Sequence, residues 1–95
     1  MQPLIRRIKR SDASEMQAAV LESVGHIRPW LDWCTPSYRL SDAVNWTQDA
    51  ASKWQEGSDY RFVIEEPESG LMLGSVAIRT VCRTNRVGDL GYWLR

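Results

Sequence analysis

The residue with the clearest chemical potential is a carboxylate inside the last predicted strand, Asp89. A charged group in an otherwise apolar strand is costly unless it is paired or faces a wet cleft. Gly88 and Gly91 flank it and would let a ligand or another backbone approach closely. Asp89 is therefore a candidate to accept or orient a proton. The alternative is a structural carboxylate held by a neighbouring arginine such as Arg79 or Arg86.

A second candidate site lies where Pro29 and Pro36 bracket a short apolar stretch that contains Trp30, Leu31 and Trp33. Pro29 favours the first turn of a short helix, and Pro36 stops it. Three bulky apolar side chains on so short an element cannot all face one core. Some of them should line a groove or a second contact surface, and core packing is the alternative.

Metal and thiol chemistry find little support in the sequence. Cys34, Cys82 and the single His26 lack metal-ligand spacing, so we predict no metal site. The two cysteines are expected to be free thiols in a reducing cytosol. The standard phosphate-loop and nucleophile motifs are also missing.

The charge pattern argues against nucleic acid as a partner, since 12 basic and 12 acidic side chains give a formal net charge of zero. A basic patch, Arg6 to Arg10, alternates with isoleucines and is interpreted as the solvent face of a strand; phosphate binding is the weaker alternative. No apolar run approaches the roughly 20 residues of a membrane span. We therefore expect a cytoplasmic protein without a membrane or nucleic-acid partner.

Hydrophobic periodicity predicts an α+β domain in the order β-α-α-β-β-β, with helices packed on an antiparallel sheet. The predicted strands are Leu4–Lys9, Tyr60–Glu65, Leu71–Thr80 and Val87–Leu94, and the predicted helices are 12–25 and 41–56.

Capping residues set the expected helix ends. Asp12 and Glu15 have the spacing of a capping box, and Gly25 is suited to end that helix. Ser41 is the expected N-cap of the second helix, and Gly57 supplies its C-terminal stop.

The last strand has two faces of different character. With a period of two, Asp89 shares one face with Gly91 and Trp93, and the apolar side chains at 90, 92 and 94 share the other. An unpaired apolar edge is a liability that proteins normally cover. We therefore expect either that a partner completes the sheet or that residues 1–95 are the front part of a larger domain.

The stretches Leu4–Ile8, Ser11–Ala13 and His26–Trp33 resemble the opening of the GNAT N-acetyltransferases of the RimJ/RimL type, which acetylate N-terminal amines of ribosomal proteins. Gly74–Ile78 is similar to the third strand of that family. Asp89–Leu94 is similar to the fourth, which usually reads Glu-Ile-Gly-Tyr-Trp-Leu. The resemblance covers nearly the whole chain but only about the first half of the family's domain.

The resemblance implies transfer of an acetyl group from acetyl-CoA to a primary amine. It places Asp89 where the family often has a glutamate that removes the amine proton, and the shorter side chain favours a water relay. It also implies that Trp93, Leu94 and Arg95 contact the pantetheine arm through the end of the strand. The segment Trp30–Trp33, with Trp30, Leu31 and Trp33, would form one wall of the acceptor groove.

The resembling domains continue into a glycine-rich loop that holds the CoA pyrophosphate, and this loop has no counterpart in the 95 residues. The resemblance therefore implies that the chain alone neither binds acetyl-CoA tightly nor turns over. The amine acceptor is left open among protein N-termini, polyamines and other small amines. The alternative function is a non-catalytic half-domain that assembles through its exposed last strand, as a homodimer or with another chain.

Overall fold

The computed structural model describes residues 2–82, 84 and 87–95. Within this part of the chain, two α-helices and four strands follow the predicted order, which confirms the α+β class. The elements are β1 (Leu4–Arg7), α1 (Ala13–Ile27), α2 (Leu40–Glu56), β2 (Tyr60–Glu65), β3 (Met72–Cys82) and β4 (Val87–Leu94).

The strands form one antiparallel sheet in the order β1-β2-β3-β4. The predicted meander of the last three strands is confirmed, and β1 extends it by pairing with β2. In the described sheet β4 pairs only with β3, so it lies at the edge. That pairing sets Ala77 opposite Gly91 and Arg79 opposite Asp89.

Both helices pack against one face of the sheet. On β2, on β4 and on β3 from residue 75 onward, this covered face carries the odd-numbered side chains, among which Val63, Ala77 and Trp93 are buried. A register shift between β2 and β3 places the buried Met72, at the start of β3, on the same face. Small residues let the helices approach closely, since Ala19 and Ala43 are fully buried. Other members of the core are Met16, Val20, Ala50 and Met72.

The predicted capping box at the start of α1 does not form. Asp12 makes no side-chain cap to the helix. It accepts hydrogen bonds from the Lys9 amide at 2.7 Å and from both terminal nitrogens of Arg6. Glu15 accepts a hydrogen bond from the Met72 amide at 2.7 Å. Both carboxylates thus join the helix to the sheet.

The other helix ends also differ in part from the prediction. Gly25 does not end α1, which continues two residues beyond it. Ser41 is not the N-cap of α2; that position is Arg39, whose amide donates to the Asp42 carboxylate at 2.8 Å. The stop at Gly57 is confirmed, since its φ of 74° lies in the left-handed region that favours glycine.

The segment between the helices, residues 28–39, forms successive turns, so the predicted short helix is wrong. The Cys34 amide donates to Leu31 and the Tyr38 amide to Thr35, each over three residues. Pro36 has no N–H and restricts the residue before it, which prevents a regular helix from continuing. The turns bury Cys34 completely and turn Trp33 back toward the sheet.

Strand boundaries shift where backbone groups are engaged elsewhere. β1 ends at Arg7, two residues before the predicted end, because the Lys9 amide is bound to Asp12. β3 begins at Met72, one residue after the predicted start, and runs on past Thr80 to Cys82. β2 and β4 have their predicted bounds.

Candidate functional site

A cavity of about 330 Å³ lies on the covered face of the sheet, where α1, α2 and segment 28–39 meet β3 and β4. Ala77 and Gly91, which are directly paired across the two strands, line it from the sheet side. Their small side chains leave space above the sheet that larger residues would fill. We call this space the aromatic cavity.

Five aromatic residues line the aromatic cavity: Trp33, Tyr38, Trp46, Tyr92 and Trp93. The Trp33 ring lies 5.9 Å from the Tyr38 ring and meets Trp93 edge-on at 6.2 Å, measured between centroids. Edge-on and tilted contacts are favourable for aromatic rings and fix their orientation. Apolar walls with few polar groups are typical of small-ligand sites.

The polar residues of the same cavity are Tyr38, Asp42 and Arg79, together with Ser75 and Tyr92. Burial, and then the charge of Asp42, raise the pKa of Tyr38 to about 12. The Tyr38 hydroxyl therefore stays protonated at neutral pH and can donate a hydrogen bond. Asp42 supplies an acceptor, and Arg79 supplies a cation whose Nη2 lies 3.7 Å from the position that a Cβ on Gly91 would occupy. The cavity thus presents a hydrogen-bond donor, an acceptor and a cation between apolar walls.

Asp89 lies on the same strand face as Gly91 and Trp93 but does not line the aromatic cavity. Its side chain is exposed, and Arg79 is its cross-strand neighbour. No ion pair joins Asp89 to Arg79 in the described structure. The other suggested partner, Arg86, lies outside the described residues. Asp89 is therefore accessible to a substrate or a water, and its catalytic role stays a prediction.

The structure separates the three residues predicted for the acceptor wall. Leu31 and Trp33 line the aromatic cavity. Trp30 lies outside the lining, with 82% of its surface exposed. The turns of segment 28–39 cause this separation, because they point neighbouring side chains in different directions.

The three residues predicted to contact the cofactor lie at the C-terminal end of the edge strand β4. Trp93 is buried in the core, Leu94 is exposed, and the Arg95 guanidinium pairs with Glu22 on α1 at 2.8 Å. The His26 Nε2 also lies 3.0 Å from the Leu94 carbonyl oxygen. Helix α1 thus holds the end of β4 in place at two points.

Backbone direction distinguishes these three residues further. The Arg95 amide donates to the Leu73 carbonyl at 2.7 Å, so it faces β3. Successive residues of a strand turn their backbone groups to opposite edges. The backbone of Leu94 therefore faces the open edge of β4, whereas those of Trp93 and Arg95 face β3.

Sequence reasoning missed several residues of the cavity. Asp42 and Trp46 are spaced i, i+4 and therefore share one face of α2, which is a signal that could have paired them. Tyr38 precedes the helix without any periodic pattern. For Arg79, the sequence predicts only a pairing with Asp89.

The described residues contain no group of three or more His, Cys, Asp or Glu side chains arranged to hold a metal ion. None of the helices in the described ranges is long and apolar enough to cross a membrane.

Residues 4–95 match the family model described as "Acetyltransferase (GNAT) domain". No curated protein matches the chain. Among solved structures, RimL, a ribosomal L7/L12 alpha-N-protein acetyltransferase in complex with coenzyme A, superposes with a TM-score of 0.84 at 20% identity, over 95% of this chain and 50% of that protein.

Two further solved structures show the same fold. A ribosomal-protein-S5-alanine acetyltransferase from Vibrio fischeri has a TM-score of 0.80 at 18% identity, over 99% of this chain and 56% of that one. The microcin C7 self-immunity acetyltransferase MccE, in complex with acetyl-CoA and AMP, has a TM-score of 0.86 at 16% identity, over 98% and 51%. The chain therefore spans about half the length of these proteins.

Proposed function

The chain belongs to the GNAT acetyltransferase family, and from that premise we propose that it forms the acceptor-binding part of an enzyme that acetylates a primary amine with acetyl-CoA. The observation that carries this proposal is the aromatic cavity beside Gly91 and Trp93 of strand β4. Its apolar walls and few polar groups suit a small amine or the N-terminus of a peptide. RimL and MccE, which have the same fold, were solved with coenzyme A and acetyl-CoA respectively, and this supports the choice of acetyl donor.

In the proposed reaction, the amine nitrogen forms a bond to the thioester carbonyl carbon, and the carbon–sulfur bond breaks to release a thiolate. The nitrogen must first lose its proton, since an ammonium has no free electron pair. We assign this proton to Asp89, which receives it through an intervening water. The nitrogen loses a second proton when the amide forms, and that proton neutralises the released thiolate. The Asp89 side chain is exposed on the same strand face as the cavity residue Gly91, but it lies outside the cavity lining, which favours a relay over direct contact.

The acceptor amine is proposed to sit between Leu31 and Trp33 on one side and the α2 residues Asp42 and Trp46 on the other. The carboxylate of Asp42 would accept a hydrogen bond from the incoming ammonium. The protonated Tyr38 hydroxyl would donate to a carbonyl or hydroxyl of the acceptor.

Acetyl-CoA supplies the activated acetyl group, and the open edge of β4 fits an extended chain that carries amides. The Leu94 N–H faces that edge, because the neighbouring Arg95 amide is bound to β3. His26 contacts the Leu94 carbonyl and would orient this end of the strand. Trp93 and Arg95 would support the contact from behind, through the core and through Glu22.

Acceptor binding can be tested without turnover. A peptide with a free N-terminal amine, titrated into the chain, should shift the indole N–H resonances of the cavity tryptophans, and the N-acetylated peptide should bind more weakly. Trp33→Ala should weaken binding by roughly tenfold or more. Trp30→Ala is the matched control, because Trp30 lies outside the cavity. Equal effects of the two substitutions would contradict the assignment.

Turnover is tested by mass spectrometry of N-terminal peptides incubated with acetyl-CoA, using the 95-residue chain and, where its gene encodes further residues, the longer product. We expect no turnover from the 95 residues alone. In the active form, Asp89→Asn should lower kcat by about 10²- to 10⁴-fold with little change in KM. An unchanged kcat would remove Asp89 from the mechanism but leave the acceptor cavity intact.

A second function, assembly through the last strand, is favoured by the edge position of β4 and by the exposed side chains Leu90, Tyr92 and Leu94. Strand addition to such an edge would produce a homodimer or a complex with another chain. Light scattering should then show a dimer that Tyr92→Lys disrupts. A monomer at all working concentrations would contradict this function.

A further inference from the structure

A second cavity shares no lining residue with the aromatic cavity, and it is rich in cations. It has a volume of about 160 Å³ and lies between the end of β1 and the C-terminal half of α2. Its lining includes Arg7, Lys9, Arg10 and Arg61, and no carboxylate. We call it the basic pocket. Its volume corresponds to roughly five water molecules at about 30 Å³ each, which is room for one phosphate group.

The basic residues in β1 and in the segment just after it divide into one that forms ion pairs and three that form none with the described residues. Arg6 forms ion pairs with Asp12 at 2.8 Å and with Glu65 at 2.7 Å. The side chains of Arg7, Lys9 and Arg10 form no ion pair with any of the described residues, and they are the ones that line the basic pocket. Like charges gathered around one small space repel each other, and a bound anion would relieve that repulsion.

Arg61 gives the basic pocket a buried donor that lacks an acceptor. The residue is only 5% exposed. Its Nη1 donates to the Trp46 carbonyl at 2.7 Å, and its Nη2 pairs with Asp59 at 2.9 Å. The Nε–H is buried and has no hydrogen-bond partner among the described residues. Buried donors are nearly always satisfied, so this one indicates a missing acceptor.

Aromatic rings hold two of the four cations in place. The Arg61 guanidinium stacks on the Trp46 ring at 3.6 Å, and the Arg7 guanidinium lies 4.1 Å above the Trp54 ring. These contacts fix the planes of both guanidinium groups before any ligand arrives. Fixed guanidinium groups bind tetrahedral oxyanions well, since their N–H groups match the spacing of phosphate oxygens.

We propose that the basic pocket binds a phosphate group, held by Arg7, Lys9 and Arg10 at its mouth, with an oxygen that accepts a hydrogen bond from Arg61 Nε. This site is separate from the aromatic cavity and does not depend on the proposed acetyl transfer. The ligand would be inorganic phosphate or the phosphate of a small ester.

The test is a titration of the isotope-labelled 95-residue chain with inorganic phosphate and, separately, with glycerol phosphate, each compared with sodium chloride at equal ionic strength. We expect a saturable shift of the Arg61 Nε–H and Trp54 indole resonances with a phosphate and not with chloride. Tighter binding of glycerol phosphate would assign the site to esters, and tighter binding of inorganic phosphate would assign it to the free ion.

Two matched variants complete the test. Arg10→Gln should weaken phosphate binding by roughly two- to fivefold, the range for an exposed charge pair. Arg28→Gln removes the same charge at the end of α1, outside the pocket, and should leave binding unchanged. Shifts that do not saturate, that chloride reproduces, or that both variants reduce equally would overturn the proposal. Melting temperatures of the two variants verify that each one is folded.

Discussion

The two faces of the sheet carry similar apolar residues but have different surroundings. On the covered face Val63 is fully buried and Trp93 is 8% exposed. On the opposite face, Leu90 and Tyr92 of β4 are 68% and 66% exposed. Burial, and not residue type, therefore separates the two faces. Apolar side chains stabilise the fold only where they leave water.

Polar groups follow the same division. Asp12 and Arg61 are buried on the helix-covered side, and both are engaged in ion pairs. Buried charges are tolerated when they are paired and hydrogen-bonded. The covered side thus contains these buried ion-paired side chains and both of the cavities described above.

The largest expected effect comes from a core truncation on the covered side. Met72 is 1% exposed, and Met72→Ala should lower the free energy of unfolding by about 2–5 kcal/mol, since it leaves a cavity. Leu90→Ala on the open face should change it by less than about 0.5 kcal/mol. Urea unfolding followed by tryptophan fluorescence measures both. Similar losses would show that the open face is buried in solution.

A second substitution probes the close approach of the β3 and β4 backbones, which carry the side chains of both faces. A Cβ on Gly74 would collide with the Trp93 carbonyl oxygen, so Gly74→Ala should destabilise the fold by about 1–3 kcal/mol. Gly25→Ala in α1 meets no atom within 4 Å and should stabilise the fold by about 0.5–1 kcal/mol. Opposite signs in thermal unfolding are expected, and a tolerated Gly74→Ala would refute the close approach.

The ion pair on the covered side should produce an acid dependence. Burial alone would raise the pKa of Asp12, but hydrogen bonds from Arg6 and the Lys9 amide lower it below its ordinary value. A lowered pKa in the folded state stabilises the fold above the unfolded pKa, near 4, and this stability is lost as pH falls through the folded value. Asp12→Asn should lower the free energy of unfolding by about 1–2 kcal/mol at neutral pH and reduce its further loss at acid pH.

Exposed Glu68→Gln is the control for that acid titration, since Glu68 has no ion pair in the described structure. It should change neither the free energy of unfolding at neutral pH nor its loss at acid pH. If Asp12→Asn loses as much stability at acid pH as the unsubstituted chain, another carboxylate is responsible for that loss.

The smallest effect concerns the aromatic cavity at alkaline pH. The pKa of Tyr38 is raised from 10.0 to about 12, so the folded state keeps a proton that the unfolded state releases above pH 10. Stability should therefore decline as pH rises from 10 to 12, and Tyr38→Phe should remove part of that decline. Tyrosinate absorbance during a pH titration gives the pKa directly. Titration of all three tyrosines near pH 10 would contradict the buried environment.

Much of the fold could be predicted from local sequence pattern. The element order, the bounds of β2 and β4, and the stop at Gly57 are confirmed, because each depends on residues within a few positions of one another. The helix starts were less predictable. Asp12 has the right chemistry for a cap, yet Arg6 and the Lys9 amide bind its carboxylate instead.

The candidate site was predictable only in part. The apolar residues Leu31 and Trp33 could be nominated from their crowding on a short segment, and both line the aromatic cavity. Trp30 has the same chemistry and lies outside it, because a turn decides the direction of each side chain. Nothing local to Asp42 indicates that it shares a cavity with Gly91, 49 positions away in the sequence.

The sequence by itself determined the family, the order of the elements and the two-sided character of β4, since motif similarity and period-two alternation are local properties. Tertiary structure decided which side of the sheet is covered, which cations are paired, and which residues meet in the cavities. Arg6 and Glu65 are 59 positions apart and bond at 2.7 Å, whereas neighbouring Arg7 forms no ion pair with the described residues. Such choices depend on how distant elements pack, because burial and partners exist only once the chain has folded.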